Sequence, residues 1–183
     1  MKTANLQDTT EVMFDSAFDL NVKGSFFLVQ VRDTNCTQSS SGGVCPRALA
    51  GALTDWTQKA VPHMPTNGSR VILLSTNQCH STNVTPTYLS YCMTKGAIEQ
   101  MTRVLNKQLM VSGITVNAVC PGPTATEMFF KGKSEELLQA LARAHPQGRI
   151  GMPDEVANVV SFLAGENSSW VSGQVIRVNG GIA

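Results

Sequence analysis

The sequence predicts an α/β fold, a parallel sheet whose strands are joined by right-handed helical crossovers. Three observations predict it. Strand-like and helix-like segments alternate from residue 69 to the end of the chain. Val71–Leu74 is an unbroken apolar run between turn residues, as in a parallel strand buried on both faces. The segment 114–119, "ITVNAV", is rich in β-branched residues and runs directly into Pro121 and Gly122.

Each element has its own signals. Residues 8–30 read as one amphipathic helix. Asp8, Thr9 and Thr10 offer N-caps, Glu11 lies in the first turn, and Phe14, Phe18, Val22, Phe26 and Val29 recur at helical spacing. Residues 31–58 break that order, with Ser39–Ser41 and Gly42-Gly43 in a stretch that holds no periodicity. A helix then spans about Tyr88 to Val111, striped by Ile98, Met101, Leu105 and Leu109 and ended by Gly113. Ser134 to Ala144 is a short helix. Residues 153–165 form another, with Pro153 near its first turn and Gly165 at its end. "GQVIRVNGG", residues 173–181, is the last strand, and the chain contains no internal repeat.

Composition bounds the function. The chain has 183 residues, of which 42% are hydrophobic and 15% charged, with a net charge of +1. That is one domain able to bury a core, too apolar for disorder. The balanced charge gives no electrostatic reason for nucleic acid or an anionic membrane as partner. No stretch approaches the roughly 18 apolar residues of a membrane span. The five cysteines are odd in number and lack C-x-x-C spacing, so neither a disulfide framework nor a zinc site is expected. A reduced, cytoplasmic compartment follows as the default.

The chemistry centres on Tyr91-Cys92-Met93-Thr94-Lys95. Residues four apart share a helix face. A phenol with a pKa near 10 is a poor proton-transfer group at neutral pH, and a nearby ammonium is expected to lower that pKa. The pair suits proton exchange with a carbonyl or alcohol oxygen. By itself the spacing is common on solvated helices. Its setting is more telling: Ser75-Thr76 ends one strand and "PGPTATEM" follows another, and open α/β sheets bind ligands at the carboxyl ends of their strands.

Taken in order, "NVKG", "VILLST", "YCMTK", "ITVNAVCPGPTATEM" and "GRIGMPDEVANVVSFLAGENSSWVSGQVIRVNGG" resemble the short-chain dehydrogenase/reductase family over nearly the whole chain outside residues 31–58. The resemblance implies a partial Rossmann-like, doubly wound sheet and hydride transfer between NAD(P)(H) and a small carbonyl or alcohol. It implies that Tyr91 is the general acid/base, Lys95 its supporting and ribose-binding partner, and Asn21 a holder of relay water. By position, Thr76 takes the part of the serine that polarises the substrate oxygen, with Ser75 the alternative one residue away. Pro121, Gly122, Thr124 and Thr126 resemble the loop at the nicotinamide end of the cofactor, and Lys23 occupies a basic position near it or is a solvated helix lysine. Met128, Phe129 and Phe130 would offer an apolar wall. NADP(H) is preferred to NAD(H), and the family implies a homo-oligomer.

Two departures qualify the resemblance. None of the fifteen glycines forms G-x-x-x-G-x-G or G-x-G-x-x-G, the turn that lets backbone approach a pyrophosphate. The chain is therefore expected to be a single truncated domain, residues 1–183, lacking the first βαβαβ strands. A catalytically inactive remnant is the alternative to an enzyme. Residues 31–58 are expected to be an irregular insert. Without them the flanks join as one helix leading into the strand, and Val31-Arg32 and Gln58 permit splice-site codons, so a retained intron is the favoured reading over a surface loop.

Overall fold

The computed structural model describes residues 4–18, 28–30 and 61–182. Helix α1, Glu11–Phe18, begins where Thr10 Oγ1 accepts the Met13 N–H at 3.3 Å. Phe14 and Phe18, one turn apart, stack with ring centroids 4.5 Å apart. The expected continuation of this helix to residue 30 is corrected. Residues Leu28–Gln30 form strand β1 instead, paired antiparallel with the next strand. The run "FFLVQV" is continuous, aromatic and β-branched, and periodicity alone does not separate such a run from a buried helix. Asn21, Lys23 and the whole of the insert 31–58 lie outside the described residues.

From residue 70 onward the architecture follows the expected alternation. Strand β2, Arg70–Leu74, leads through short turns to helix α2, Leu89–Leu109, and then to strand β3, Thr115–Pro121. Two small helices follow, α3 at Glu127–Phe130 and α4 at Glu135–Arg143, then α5, Pro153–Ala164, and strand β4, Val175–Val178. The sheet order is β1-β2-β3-β4; β2, β3 and β4 are parallel. Gly113 stops the α2 segment in the left-handed region, at φ +70°, and a β-carbon there would collide with Asn67, whose Cα would be 2.8 Å away.

The alternation of the pleat sorts the core into two layers. Val71, Leu73, Val116 and Ala118 pack with Ile98 and Leu109 of α2 on one face. Ile72 and Val119 pack with Leu163 of α5 on the other. Both faces of β2 and β3 are thereby covered, which explains their unbroken apolar sequence. Among the described residues, no helix is long and apolar enough to cross a membrane.

One buried polar residue tests this packing. Asn117, on β3 and 1% exposed, donates through Nδ2 to the Val171 carbonyl at 2.8 Å. Its Oδ1 accepts the Gln174 N–H at 3.1 Å, fixing the entry to β4. Asn117→Ala leaves both backbone groups without these partners and is expected to cost about 2 kcal/mol. Urea unfolding curves for the variant and the parent measure it.

Candidate active site

The carboxyl ends of β2 and β3 lie beside the first turns of α2, so three sequence-distant segments converge. Ser75 prolongs β2 by one bond, its N–H donating to the Val119 carbonyl at 2.8 Å. Thr76 remains extended, at φ −153° and ψ 146°, and caps the turn Asn77–Cys79 by accepting the Gln78 N–H. Successive side chains in extended backbone point in opposite directions, and here that decides the partners. Ser75 Oγ donates to Glu99 Oε1 at 2.7 Å and to the Lys95 carbonyl at 3.2 Å. The Thr76 side chain instead lies near the Tyr91 phenol, close enough to favour its charged form.

Tyr91 and Lys95 occupy the same side of α2, with Lys95 Nζ 6.0 Å from the Tyr91 ring centroid. Both are half-buried. The ammonium donates to the Leu74 carbonyl at 2.8 Å. Burial holds the Lys95 ammonium below its ordinary pKa, against an opposing pull from Cys79 and Cys120. Burial also pushes the Tyr91 phenol up from its ordinary value, and the neighbouring Thr76 hydroxyl only partly offsets it. The expectation that Lys95 lowers this pKa is therefore corrected. Its ammonium donates to the Leu74 carbonyl, and desolvation of the phenol dominates.

The loop after β3 is tightly built. Gly122 donates to the Val178 carbonyl at 2.9 Å, and a β-carbon there would meet Asn179 Cα and Cβ at 3.0 Å. Thr124 Oγ1 donates to the Gly122 carbonyl at 2.9 Å, and its backbone bridges in parallel to Gly151. Thr126 Oγ1 accepts the Phe129 N–H at 3.1 Å as the N-cap of α3. Pro121 is the last residue of β3. The loop from Pro121 to Thr126 thus continues the same sheet edge that carries Thr76. A separate pocket of about 140 Å³ is lined by Thr124, His145, Arg149 and Gly151. None of Thr76, Tyr91 and Lys95 lines it.

A nicotinamide cofactor fits part of this edge. A phenol, a threonine hydroxyl and an ammonium are the donor types that hold a ribose and a carbonyl oxygen, and they sit together at the strand ends. The pyrophosphate end has no counterpart, since the 183 residues contain no glycine-rich phosphate turn.

One feature escaped the sequence reading. Glu99, two turns beyond Tyr91 on α2, gathers three donors on one carboxylate oxygen: Ser75 Oγ, His80 Nε2 at 3.1 Å and Cys120 Sγ at 3.4 Å. These residues are separated by 19 to 24 positions from Glu99, and no short motif spans them. The eight-residue step from Tyr91 to Glu99 on one helix face was the available signal.

Comparison with known proteins places the chain. The family described as Enoyl-(Acyl carrier protein) reductase matches residues 48–183. The NADPH-dependent aldehyde reductase-like chloroplastic protein of Arabidopsis thaliana is 37% identical over 180 residues, which is 98% of this chain and 56% of that protein. A short-chain type dehydrogenase/reductase of Picea abies is 34% identical over 98% of this chain and 56% of its own length. Among solved structures, the angucycline C-6 ketoreductase LanV with bound NADP aligns with a TM-score of 0.75 at 27% identity. That alignment covers 100% of this chain and 58% of LanV. The chain spans a little over half the length of the curated relatives it matches.

Proposed function

Because the chain belongs to the short-chain dehydrogenase/reductase family, we propose that it carries the catalytic half of an NADPH-dependent reductase of small carbonyl compounds. The observation that carries this reading is the grouping of Thr76, Tyr91 and Lys95 at the carboxyl edge of the parallel sheet. NADP(H) is favoured over NAD(H) by relatives named as NADPH-dependent and by the NADP-bound ketoreductase structure. A cytoplasmic location and a homo-oligomeric assembly belong to the same proposal, and rest on the cysteine pattern and the family resemblance.

In this reading NADPH, when bound, supplies the hydride for the carbonyl carbon. Thr76 donates a hydrogen bond to the substrate oxygen beside the Tyr91 hydroxyl. Tyr91 gives its proton to that oxygen as it gains charge. Lys95 has its backbone carbonyl tied by Ser75 and its ammonium by Leu74, and so presents one fixed cation at the ribose side. Pro121, Gly122, Thr124 and Thr126 would form the wall along the nicotinamide. Ser75 faces Glu99, which favours Thr76 as the group that polarises the oxygen. Met128, 86% exposed, and the half-open Phe130 beside it would cover an apolar substrate. Asn21 and Lys23 keep their proposed parts in the proton relay and near the cofactor.

The raised Tyr91 pKa favours its part as a proton donor. A phenol that stays protonated through neutral pH is ready to donate, which is what carbonyl reduction needs. Alcohol oxidation needs the phenolate and is handicapped. The reduction rate is expected to stay level through neutral pH and to fall only as pH approaches the tyrosine's titration. The oxidation rate is expected to climb over the same interval. Steady-state rates in both directions against pH test this; reduction that requires a group ionised near neutrality contradicts it.

A further inference from the structure

The geometry points to a binding site for a zinc-class divalent cation formed by His80 Nε2, Glu99 Oε1 and Cys120 Sγ. The three ligand atoms all lie within 4.8 Å of one another. His80 Nε2 is 3.1 Å from Glu99 Oε1, and Cys120 Sγ is 3.4 Å from the same oxygen. Zinc bonds of roughly 2.0–2.3 Å in a tetrahedron put ligand atoms about 3.3–3.6 Å apart, so these two edges need little adjustment. Nitrogen, oxygen and sulfur together suit zinc or cobalt and do not suit magnesium or calcium. A neutral imidazole, a carboxylate and a thiolate leave the bound ion with no net charge. The Cys120 thiol proton goes to solvent on binding, and the imidazole proton moves to its other nitrogen.

The surroundings support the assignment independently of those distances. Ser75 Oγ, 2.7 Å from Glu99 Oε1, is an outer partner that orients the carboxylate. Cys120 is fully buried, whereas the His80 side chain is 31% exposed and Glu99 12%, so an ion has a path in from the His80 side. The three ligands come from the turn after β2, from α2 and from the end of β3. A bound ion therefore clamps together the segments that carry Thr76, Tyr91 and the loop starting at Pro121. Three protein ligands leave a fourth position for water.

The test is a titration of the full chain with cobalt(II) in a non-thiol reductant, followed by competition with zinc. One equivalent is expected to produce a thiolate-to-cobalt charge-transfer band and tetrahedral d–d bands, which zinc abolishes. Zinc is also expected to raise the melting temperature. Cys120→Ser is expected to remove the charge-transfer band. His80→Ala, at an exposed position that does not threaten folding, is expected to weaken binding by at least about a hundredfold, beyond what loss of an outer partner costs. A double Cys79→Ser, Cys92→Ser variant is expected to keep the band. Absence of a band, or a band that survives Cys120→Ser or disappears with the Cys79/Cys92 pair, overturns the proposal.

Discussion

Tyr91→Phe is expected to lower kcat for carbonyl reduction by about 10²–10⁴-fold with little change in NADPH affinity. The substitution removes one hydroxyl and keeps the ring, whose centroid lies 6.0 Å from that of Tyr88. What would be lost is the proposed proton donor beside Thr76. Because the proton moves only in the transition state, the loss falls on kcat and not on ground-state binding. Stopped-flow turnover and an NADPH titration, both on protein that carries a glycine-rich dinucleotide turn ahead of residue 1, separate the two. Near-normal turnover in Tyr91→Phe removes the tyrosine from its proposed part.

Lys95→Met is expected to damage turnover and cofactor affinity together. Methionine keeps most of the stem's packing but removes the cation. It also leaves the Leu74 carbonyl without the donor that now lies 2.8 Å away. That carbonyl belongs to a half-buried residue at the end of β2, so part of the effect is structural, about 1–3 kcal/mol of stability. The remaining effect is the loss of a fixed ammonium at the ribose side, expected to raise the KM for NADPH as well as lower kcat. Thermal unfolding measures the first component and steady-state kinetics the second. A variant that loses stability alone would make Lys95 a strand-end tie and nothing more.

The parts of the fold that the sequence makes legible are those whose environment repeats residue by residue. β2 and β3 are apolar on both faces because α2 covers one and α5 the other, so Val71–Leu74 and the segment 114–119 read as strands without further help. Gly113 and Pro153 mark helix ends because their backbone chemistry permits little else. The apolar run through Leu28–Gln30 fits either period, and pairing with Ile72, Val71 and Arg70 decides the outcome. Those partners lie 40 to 44 residues away and leave no local trace.

The site divides along the same line. Tyr91 and Lys95 are visible as a pair because a helix fixes their spacing. Thr76 rather than Ser75 as the neighbour of Tyr91 depends on which way one extended residue faces, and the strand's register with β3 settles it. The sign of the Tyr91 shift was not legible, since it depends on how deeply the phenol is buried and on Lys95 turning to Leu74. The grouping of His80, Glu99 and Cys120 is likewise a product of folding. Three elements bring together residues that no spacing rule connects.

The central claim is that Thr76, Tyr91 and Lys95 form the proton-transfer centre of an NADPH-dependent carbonyl reductase. It is tested most directly by following NADPH oxidation with a panel of small aldehydes and ketones. The protein used should carry a glycine-rich dinucleotide turn ahead of residue 1, beside an otherwise identical Tyr91→Phe twin. The account predicts oxidation that depends on the carbonyl compound and is lost in the twin. Oxidation that is absent with every carbonyl, or equal in the two proteins, would contradict it.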